Sequence, residues 1–195
     1  MMHEAGHSVQ ISSALTNAII ALVGFAFVDD TDLFCAGDSS TSSALDLAPD
    51  FQHALDRWAG ALLATGSALE PAKSFCYLLD FSWDGSKWTY IPDDDLPGKF
   101  TLTDPSGNRH PLRRFPPSHA VKTLGVYISM DGNEQAEINF LKQECIDFGA
   151  RMRSASCTKN EALYSFNTSL LPKLEYAMPV TDISESQWII FWLLL

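Results

Sequence analysis

The sequence has few cysteines, a shortage of basic residues and no hydrophobic run long enough to cross a membrane. Its four cysteines show no Cys-x-x-Cys spacing, which argues against a zinc-finger type of site and favours free thiols. The apolar stretch Trp188–Leu195 has eight residues, whereas a transmembrane helix needs about 20. No basic region precedes an apolar segment near the N-terminus, so we predict no signal peptide. We therefore expect an intracellular protein, cytoplasmic or nuclear, with no membrane partner.

Positive charge is scarce and unevenly placed. The chain has 13 Lys and Arg against 24 Asp and Glu, a net charge of −11. Residues 1–108 hold 15 acids and 4 bases, whereas residues 109–195 hold 9 of each. Proteins that bind a phosphate backbone usually present a basic stripe. Taken alone, this composition predicts a weak nucleic-acid binder.

An apolar run, residues 21–28, ends in two adjacent carboxylates, Asp29 and Asp30. A second apolar stretch begins at Leu33, which predicts a β-hairpin with the two acids at its tip. Carboxylates crowded on a turn repel each other unless a cation neutralises them, and oxygen ligands favour Mg²⁺ or Mn²⁺ over zinc. The alternative is a solvated turn, the commoner context for an Asp-Asp pair. Asp32, close by, is expected to be structural.

The rest of the chain predicts an α+β fold. A helix is expected from Asp50 to Thr65, followed by hairpins that turn at Asp84-Gly85 and at residues 104–107. The acidic run Asp93–Asp95 is expected to be a solvated loop. One strand is predicted over 123–129, and helices follow. A capping box, Thr158 to Glu161, is expected to begin a helix that buries Leu163, Phe166 and Leu170.

Three segments, in this order, resemble parts of a reverse transcriptase, the RNA-directed DNA polymerase of a retrotransposon. They are Phe27-Val-Asp-Asp30, the small-residue turn 65–74 that contains Lys73, and Lys122-Thr-Leu-Gly-Val-Tyr-Ile128. The resemblance implies that residues 1–130 form a partial palm domain, an incomplete antiparallel sheet with a packed helix. Residues 131–195 would then be a helical, thumb-like segment.

The resemblance also implies a site. Asp29 would ligate a metal, Mg²⁺ or Mn²⁺, and Asp30 would support the metal site. Phe27 would lie near the primer terminus. Lys73 would lie near the triphosphate as a proton donor to pyrophosphate, or else be a surface lysine on a strand. The implied partners are an RNA template, a DNA primer and deoxynucleoside triphosphates.

One departure from the family pattern is large. In that family the fingers and a palm strand with a third metal-binding Asp precede the hairpin, but the 26 residues before Phe27 contain one acid, Glu4. Two-metal phosphoryl transfer needs carboxylates on both strands. We therefore expect a fragment that is inactive alone. A non-catalytic retroelement remnant is a second interpretation.

A zinc protease is an alternative from another class. His3-Glu4-Ala-Gly-His7 satisfies the pattern HExxH, in which two histidines one helical turn apart bind zinc. Gly6 disfavours the helix by about 1 kcal/mol. No downstream His or Glu stands in a recognisable third-ligand motif, so the sequence favours the polymerase interpretation.

Overall fold

The computed structural model describes residues 9–13, 15–27, 30–37 and 43–193. It has several small sheets and five α-helices among these residues, which confirms the predicted α+β class. The chain divides into two compact units, Met1–Pro117 and Ser118–Leu195. This division falls before the boundary at residues 130–131 that the sequence predicts.

The strands of the first unit form two-stranded ladders. Four of the ladders are antiparallel hairpins, β1–β2, β3–β4, β6–β7 and β8–β9, and β5 pairs with β10 in parallel. The strands are β1 (Val9–Ser12), β2 (Ile19–Leu22), β3 (Gly24–Phe27), β4 (Asp30–Leu33), β5 (Phe75–Cys76), β6 (Phe81–Trp83), β7 (Trp88–Tyr90), β8 (Thr101–Thr103), β9 (Arg109–Pro111) and β10 (Arg113–Arg114).

The helix of the first unit, α1, spans Ala44–Ala64 and begins ahead of the predicted Asp50. Its N-cap is Ser43, whose N–H and hydroxyl donate to the Asp46 carboxylate at 3.0 and 2.9 Å. The Ala44 N–H donates to Asp80 Oδ2 at 2.9 Å, so a carboxylate 36 residues away satisfies a free donor of the first turn. Pro49 lies inside the helix rather than at its start, and the predicted boundary is therefore wrong.

The core of the first unit lies between α1 and the strands that follow it. The Gln52 side chain makes two hydrogen bonds with the backbone of Thr101, at 3.0 and 2.9 Å, and ties α1 to β8. The Phe51 and Phe100 rings meet edge to face with centroids 4.8 Å apart. The buried members of this core are Ala44, Ala48, Leu55, Cys76, Leu78, Leu96, Phe100, Leu102 and Leu112.

The second unit is a hairpin followed by helices. The predicted single strand over 123–129 is wrong, because Leu124 (φ 49°) and Gly125 (φ 93°) form a turn between two paired strands. The elements are β11 (Val121–Thr123), β12 (Val126–Ile128), α2 (Gln135–Ser154), α3 (Lys159–Ser165), a π-helical segment (Phe166–Leu170), α4 (Leu171–Ala177), a 3₁₀ turn (Met178–Val180) and α5 (Glu185–Leu193).

Helix α2 supplies half of the buried residues of the second core and fixes the hairpin. Its Glu137 is 1% exposed, and the carboxylate accepts the Tyr127 N–H of β12 at 2.8 Å. The capping box at Thr158 and Glu161 is confirmed, but the predicted burial of Leu163 is wrong, since it is 55% exposed. The buried residues are Val126, Ile138, Leu141, Cys145, Phe148, Leu170, Leu174 and Ala177.

Within the described ranges, none of the helices combines the length and the apolar character that a membrane span requires.

Candidate functional site

The aromatic-x-Asp-Asp segment lies on the β3–β4 hairpin. Phe27 pairs with Asp30 and Gly24 pairs with Leu33. Residues 28 and 29, and with them the predicted metal ligand Asp29, lie outside the described part of the chain. The hairpin prediction is confirmed, although the second strand begins at Asp30 rather than at Leu33.

Strand β4 separates a carboxylate face from an apolar face. Asp30 and Asp32 are two residues apart, so their side chains lie on the same face of the strand. Both are exposed, whereas Thr31 and Leu33 on the other face are half-buried. Leu33 packs against the first core. The strand thus turns two carboxylates toward solvent while its other face anchors it.

The two carboxylates interact with each other. Partial burial, and then the negative charge of Asp30, raise the pKa of the Asp32 carboxyl above its usual value. Among the residues that the structure describes, no Lys, Arg or His forms an ion pair with either carboxylate. The part of the chain that the structure describes thus offers no counter-ion to this face, and its negative charge favours a cation.

Gly24 is required for the close pairing of this hairpin. A Cβ built at Gly24 overlaps the backbone carbonyl oxygen of Asp32, so any larger residue must push the strands apart. The Phe25 and Phe34 rings meet edge to face at 5.5 Å, although Phe25 remains 59% exposed. The position of Asp32 therefore depends on the absence of a side chain at residue 24.

The other predicted site residues are placed as follows. Phe27 is the last residue of β3, and its backbone pairs with Asp30. Lys73 is exposed in a turn that precedes β5, where its N–H donates to Glu70 O at 3.1 Å, rather than on a strand. No described ion pair links Lys73 to Asp30. The structure thus joins Phe27 to Asp30 but shows no contact that brings Lys73 to the hairpin.

The donor atoms partly fit the metal that the resemblance implies. Asp30 and Asp32 offer only carboxylate oxygens, the donors that Mg²⁺ and Mn²⁺ prefer. A cluster of three or more His, Cys, Asp or Glu side chains is not found within the described ranges. The hairpin face therefore fits a hard cation in chemistry, and it needs a further carboxylate to complete the ligand set. The HExxH residues His3, Glu4 and His7 also fall outside those ranges.

Asp32 lies beside Asp30 in the candidate site. It was expected to be structural, yet it shares the carboxylate face with Asp30 and has a shifted pKa. The spacing of two residues within a strand was the signal that could have identified it, because alternate side chains of a strand point the same way.

A second concave site lies between the C-terminal half of α1 and the β8–β9 hairpin. It is an open pocket of about 280 Å³ whose lining includes Asp56, Leu63, Asp104 and Arg109. Arg109 lies 3.5 Å from Asp56. His110 Nε2 lies 2.8 Å from Asp104 Oδ2, and this contact is the main reason why the pKa of Asp104 falls to about 2. Its charged groups pair with protein partners, which favours a structural role.

No protein-family model, no curated protein and no solved structure matches this chain. The hairpin geometry and the order of the elements are therefore the features from which a function can be inferred.

Proposed function

We propose that this chain is a fragment of a retrotransposon-type RNA-directed DNA polymerase, with Asp29 and Asp30 in its metal site. The observation that carries the proposal is the β3–β4 hairpin, in which Phe27 pairs with Asp30. Asp30 then lies on an exposed face whose negative charge has no counter-ion among the described residues.

The order of elements supports the same proposal. The acidic hairpin is followed by the long helix α1, by the turn with Lys73 that leads into β5, and by the β11–β12 hairpin. A helical segment follows that hairpin. This order agrees with the palm and thumb order that the resemblance implies. Helix α1, β5 and β12 contribute buried residues to their cores, and the acidic hairpin contributes the partly buried Leu33.

The residues have distinct roles in this proposal. Asp29 and Asp30 hold Mg²⁺ or Mn²⁺, Phe27 packs beside the primer terminus, and Lys73 donates a proton near the triphosphate. The bound metal would supply charge stabilisation for phosphoryl transfer from a deoxynucleoside triphosphate. Strand β4 keeps the Asp30 carboxylate on its solvent face because Leu33 packs against the core.

This chain is proposed to be inactive alone. The described residues hold two carboxylates on one strand and no third ligand beside them. The net charge of −11 also opposes binding of a template and primer without a further basic surface.

Metal titration tests the proposal. We expect Mn²⁺ binding by the chain, measured by calorimetry, to weaken about tenfold or more in Asp29→Asn/Asp30→Asn, since two ligands become neutral. Asp94→Asn/Asp95→Asn is the matched control, because it also removes two adjacent carboxylates from the same unit. Equal losses in both variants would contradict a specific site. Primer extension by the wild-type chain, if abolished in Asp29→Asn, would overturn the expected inactivity and support the polymerase.

A further inference from the structure

The β6–β7 hairpin carries four aromatic rings on one face. Phe81 pairs with Tyr90 and Trp83 pairs with Trp88 across the strands. The ring centroids are 4.7 Å apart in the first pair and 5.3 Å apart in the second. Alternate residues of a strand share a face, so the four rings form one continuous surface, here called the aromatic face.

The aromatic face is open to solvent. Trp88 is 67% exposed, Trp83 54%, Phe81 46% and Tyr90 38%. None of the four contributes to the first core as far as the structure describes it, whereas the next residue, Ile91, packs against that core. Four half-exposed aromatic side chains present roughly 400 Å² of apolar surface. Patches of this size on soluble proteins are often binding sites.

The hairpin under the rings is well ordered by hydrogen bonds. On its other face the Ser82 and Thr89 hydroxyls lie 3.2 Å apart. In the turn, the Asp84 carboxylate accepts the N–H groups of Ser86 and Lys87, each at 2.8 Å, and these bonds lower the Asp84 pKa. The backbone that carries the rings is therefore held in one conformation, which reduces the entropy lost when a ligand binds.

Charge decides which ligand suits this face. Residues 1–117 contain 15 acids and 7 bases. The Asp93–Asp95 turn follows Tyr90 closely in the chain, and Asp94 and Asp95 are exposed without an ion pair in the described structure. Lys87 at the hairpin turn is the local exception. The net negative charge of this unit and the negative faces of aromatic rings both attract cations and disfavour phosphates.

The same chain already contains the contact that such a ligand would make. The Arg113 guanidinium lies 4.4 Å from the centroid of the Phe115 ring. A guanidinium is planar and weakly hydrated, so it stacks on aromatic rings better than an ammonium group does. An arginine side chain is therefore a suitable group to cover the exposed indole rings.

We propose that the aromatic face binds a short arginine-containing peptide segment of a partner protein, with guanidinium groups stacked on Trp83 and Trp88. A second copy of the chain fits less well, because roughly 400 Å² is about half of what each partner buries in a stable complex. Single-stranded nucleic acid could stack its bases there, but the net negative charge of this unit disfavours its phosphates. This inference does not depend on the proposed polymerase function.

Fluorescence anisotropy with three labelled probes tests the inference: hexaarginine, hexalysine and oligo-dT. We expect the full chain to bind hexaarginine several-fold more tightly than hexalysine. We expect Trp83→Thr/Trp88→Thr to weaken hexaarginine binding about tenfold, and threonine keeps the strand propensity of the hairpin. Phe25→Thr is the matched control, because it removes an exposed ring from another hairpin and should leave binding unchanged.

Four outcomes of the anisotropy measurements would overturn the inference. They are unchanged binding in the double tryptophan variant, an equal loss in Phe25→Thr, equal affinity for hexalysine and hexaarginine, and tighter binding of oligo-dT. Analytical ultracentrifugation of the same variants tests whether a second copy of the chain occupies the aromatic face instead. A dimer that disappears in Trp83→Thr/Trp88→Thr would assign the face to a second copy and overturn the proposal. A monomeric wild-type chain with the expected order of peptide affinities would support it. Circular dichroism of each variant establishes that the fold is kept.

Discussion

Two acidic segments of the first unit have similar sequences but different surroundings. One is the hairpin segment Asp29–Asp32, and the other is the acidic loop Asp93–Asp95. In the loop, Arg114 Nε lies 2.7 Å from Asp93 Oδ1, an ion-pair contact without hydrogen-bond alignment. On the hairpin, Asp30 and Asp32 have no ion pair among the described residues.

The ion pair with Arg114 identifies Asp93 as a structural acid, whereas the hairpin acids Asp30 and Asp32 are candidate metal ligands. Arg114 also donates to the backbone carbonyls of Asp93 at 2.7 Å, Pro97 at 2.9 Å and Gly98 at 3.0 Å, so the first acid of the loop belongs to a clamp that holds 93–98 in place. The hairpin acids repel each other instead, and the pKa of Asp32 is raised in part for that reason. An added cation can relieve the repulsion between the hairpin acids. The loop already has a cationic partner, Arg114.

The largest expected effect is the loss of the clamp. Arg114→Ala should lower the free energy of unfolding by about 3 kcal/mol, because it leaves Asp93 without its counter-ion and several carbonyls without donors. Urea denaturation measures the change. Arg113→Ala is the matched control: it removes a neighbouring arginine that stacks on Phe115, and it should cost about 0.5–1 kcal/mol. Equal losses would mean that the loop is not held by Arg114.

The next effect is a glycine substitution in the hairpin. Gly24→Ala should destabilise the β3–β4 pairing by about 2 kcal/mol, since the added methyl group overlaps the Asp32 carbonyl. Amide hydrogen exchange of β3 and β4 measures the local change. Gly60→Ala, on α1, is the control. Apart from the adjoining backbone of the helix, the added methyl group has no neighbouring atom within 4 Å, and the substitution should stabilise the chain by about 0.5–1 kcal/mol. If the amides of β3 and β4 are as well protected from exchange in Gly24→Ala as in the wild-type chain, the described strand pairing is contradicted.

A smaller effect is expected from pH. Because the folded state raises the pKa of Asp32, the folded chain holds more protons than the unfolded chain between the ordinary and the raised pKa. Stability contributed by this group is therefore greatest below that interval and falls as the pH rises through it. Asp32→Asn should remove this dependence.

A carboxyl-carbon NMR titration separates the two causes of the Asp32 shift. In Asp30→Asn the pKa of Asp32 should fall toward its ordinary value but remain above it, because burial is the larger cause and persists. An unchanged Asp32 pKa in this variant would show that the two carboxylates do not interact.

The smallest effect is expected at the two exposed acids of the loop. Asp94→Asn/Asp95→Asn should change the free energy of unfolding by less than about 0.5 kcal/mol, because exposed charges without partners contribute little. Thermal denaturation measures it. A loss comparable to that of Arg114→Ala would mean that these side chains take part in the clamp.

Local sequence patterns predicted the elements that depend on contacts between residues close together in the chain. The turns at Asp84-Gly85 and at residues 104–107 each join neighbouring antiparallel strands, as expected, although the first loop contains four residues, 84–87. The residues Ile138, Leu141, Cys145 and Phe148 recur at helical spacings of three and four, and they form the buried face of α2. These features depend on residues that are adjacent in the chain, so the sequence alone was sufficient.

Elements fixed by distant contacts were missed. The start of α1 depends on Asp80, 36 residues away from Ala44. The turn after β11 places Leu124 at a positive φ, which is unfavourable for leucine. Tyr176 stabilises this turn from 52 residues away by donating its hydroxyl to Leu124 O at 2.7 Å. No local pattern contains these two distant contacts, although the capping box of Ser43 and Asp46 is a local signal for the start of α1.

The candidate site also has local features that the sequence predicts and tertiary features that it does not. The hairpin and the shared face of Asp30 and Asp32 follow from strand alternation, which is a local property. The absence of a described counter-ion at these acids, and the presence of Arg114 at Asp93, are tertiary facts that an acidic sequence does not reveal. Composition alone could not distinguish the two segments.

Paramagnetic broadening by Mn²⁺ tests the central claim most directly, since the ion broadens amide signals near its binding site. With substoichiometric Mn²⁺ we predict selective broadening of amides in residues 24–33, none in residues 93–98, and recovery of the hairpin signals in Asp29→Asn/Asp30→Asn. Broadening centred on residues 93–98, or hairpin broadening that persists in the double variant, would contradict the assignment of the metal site to this hairpin.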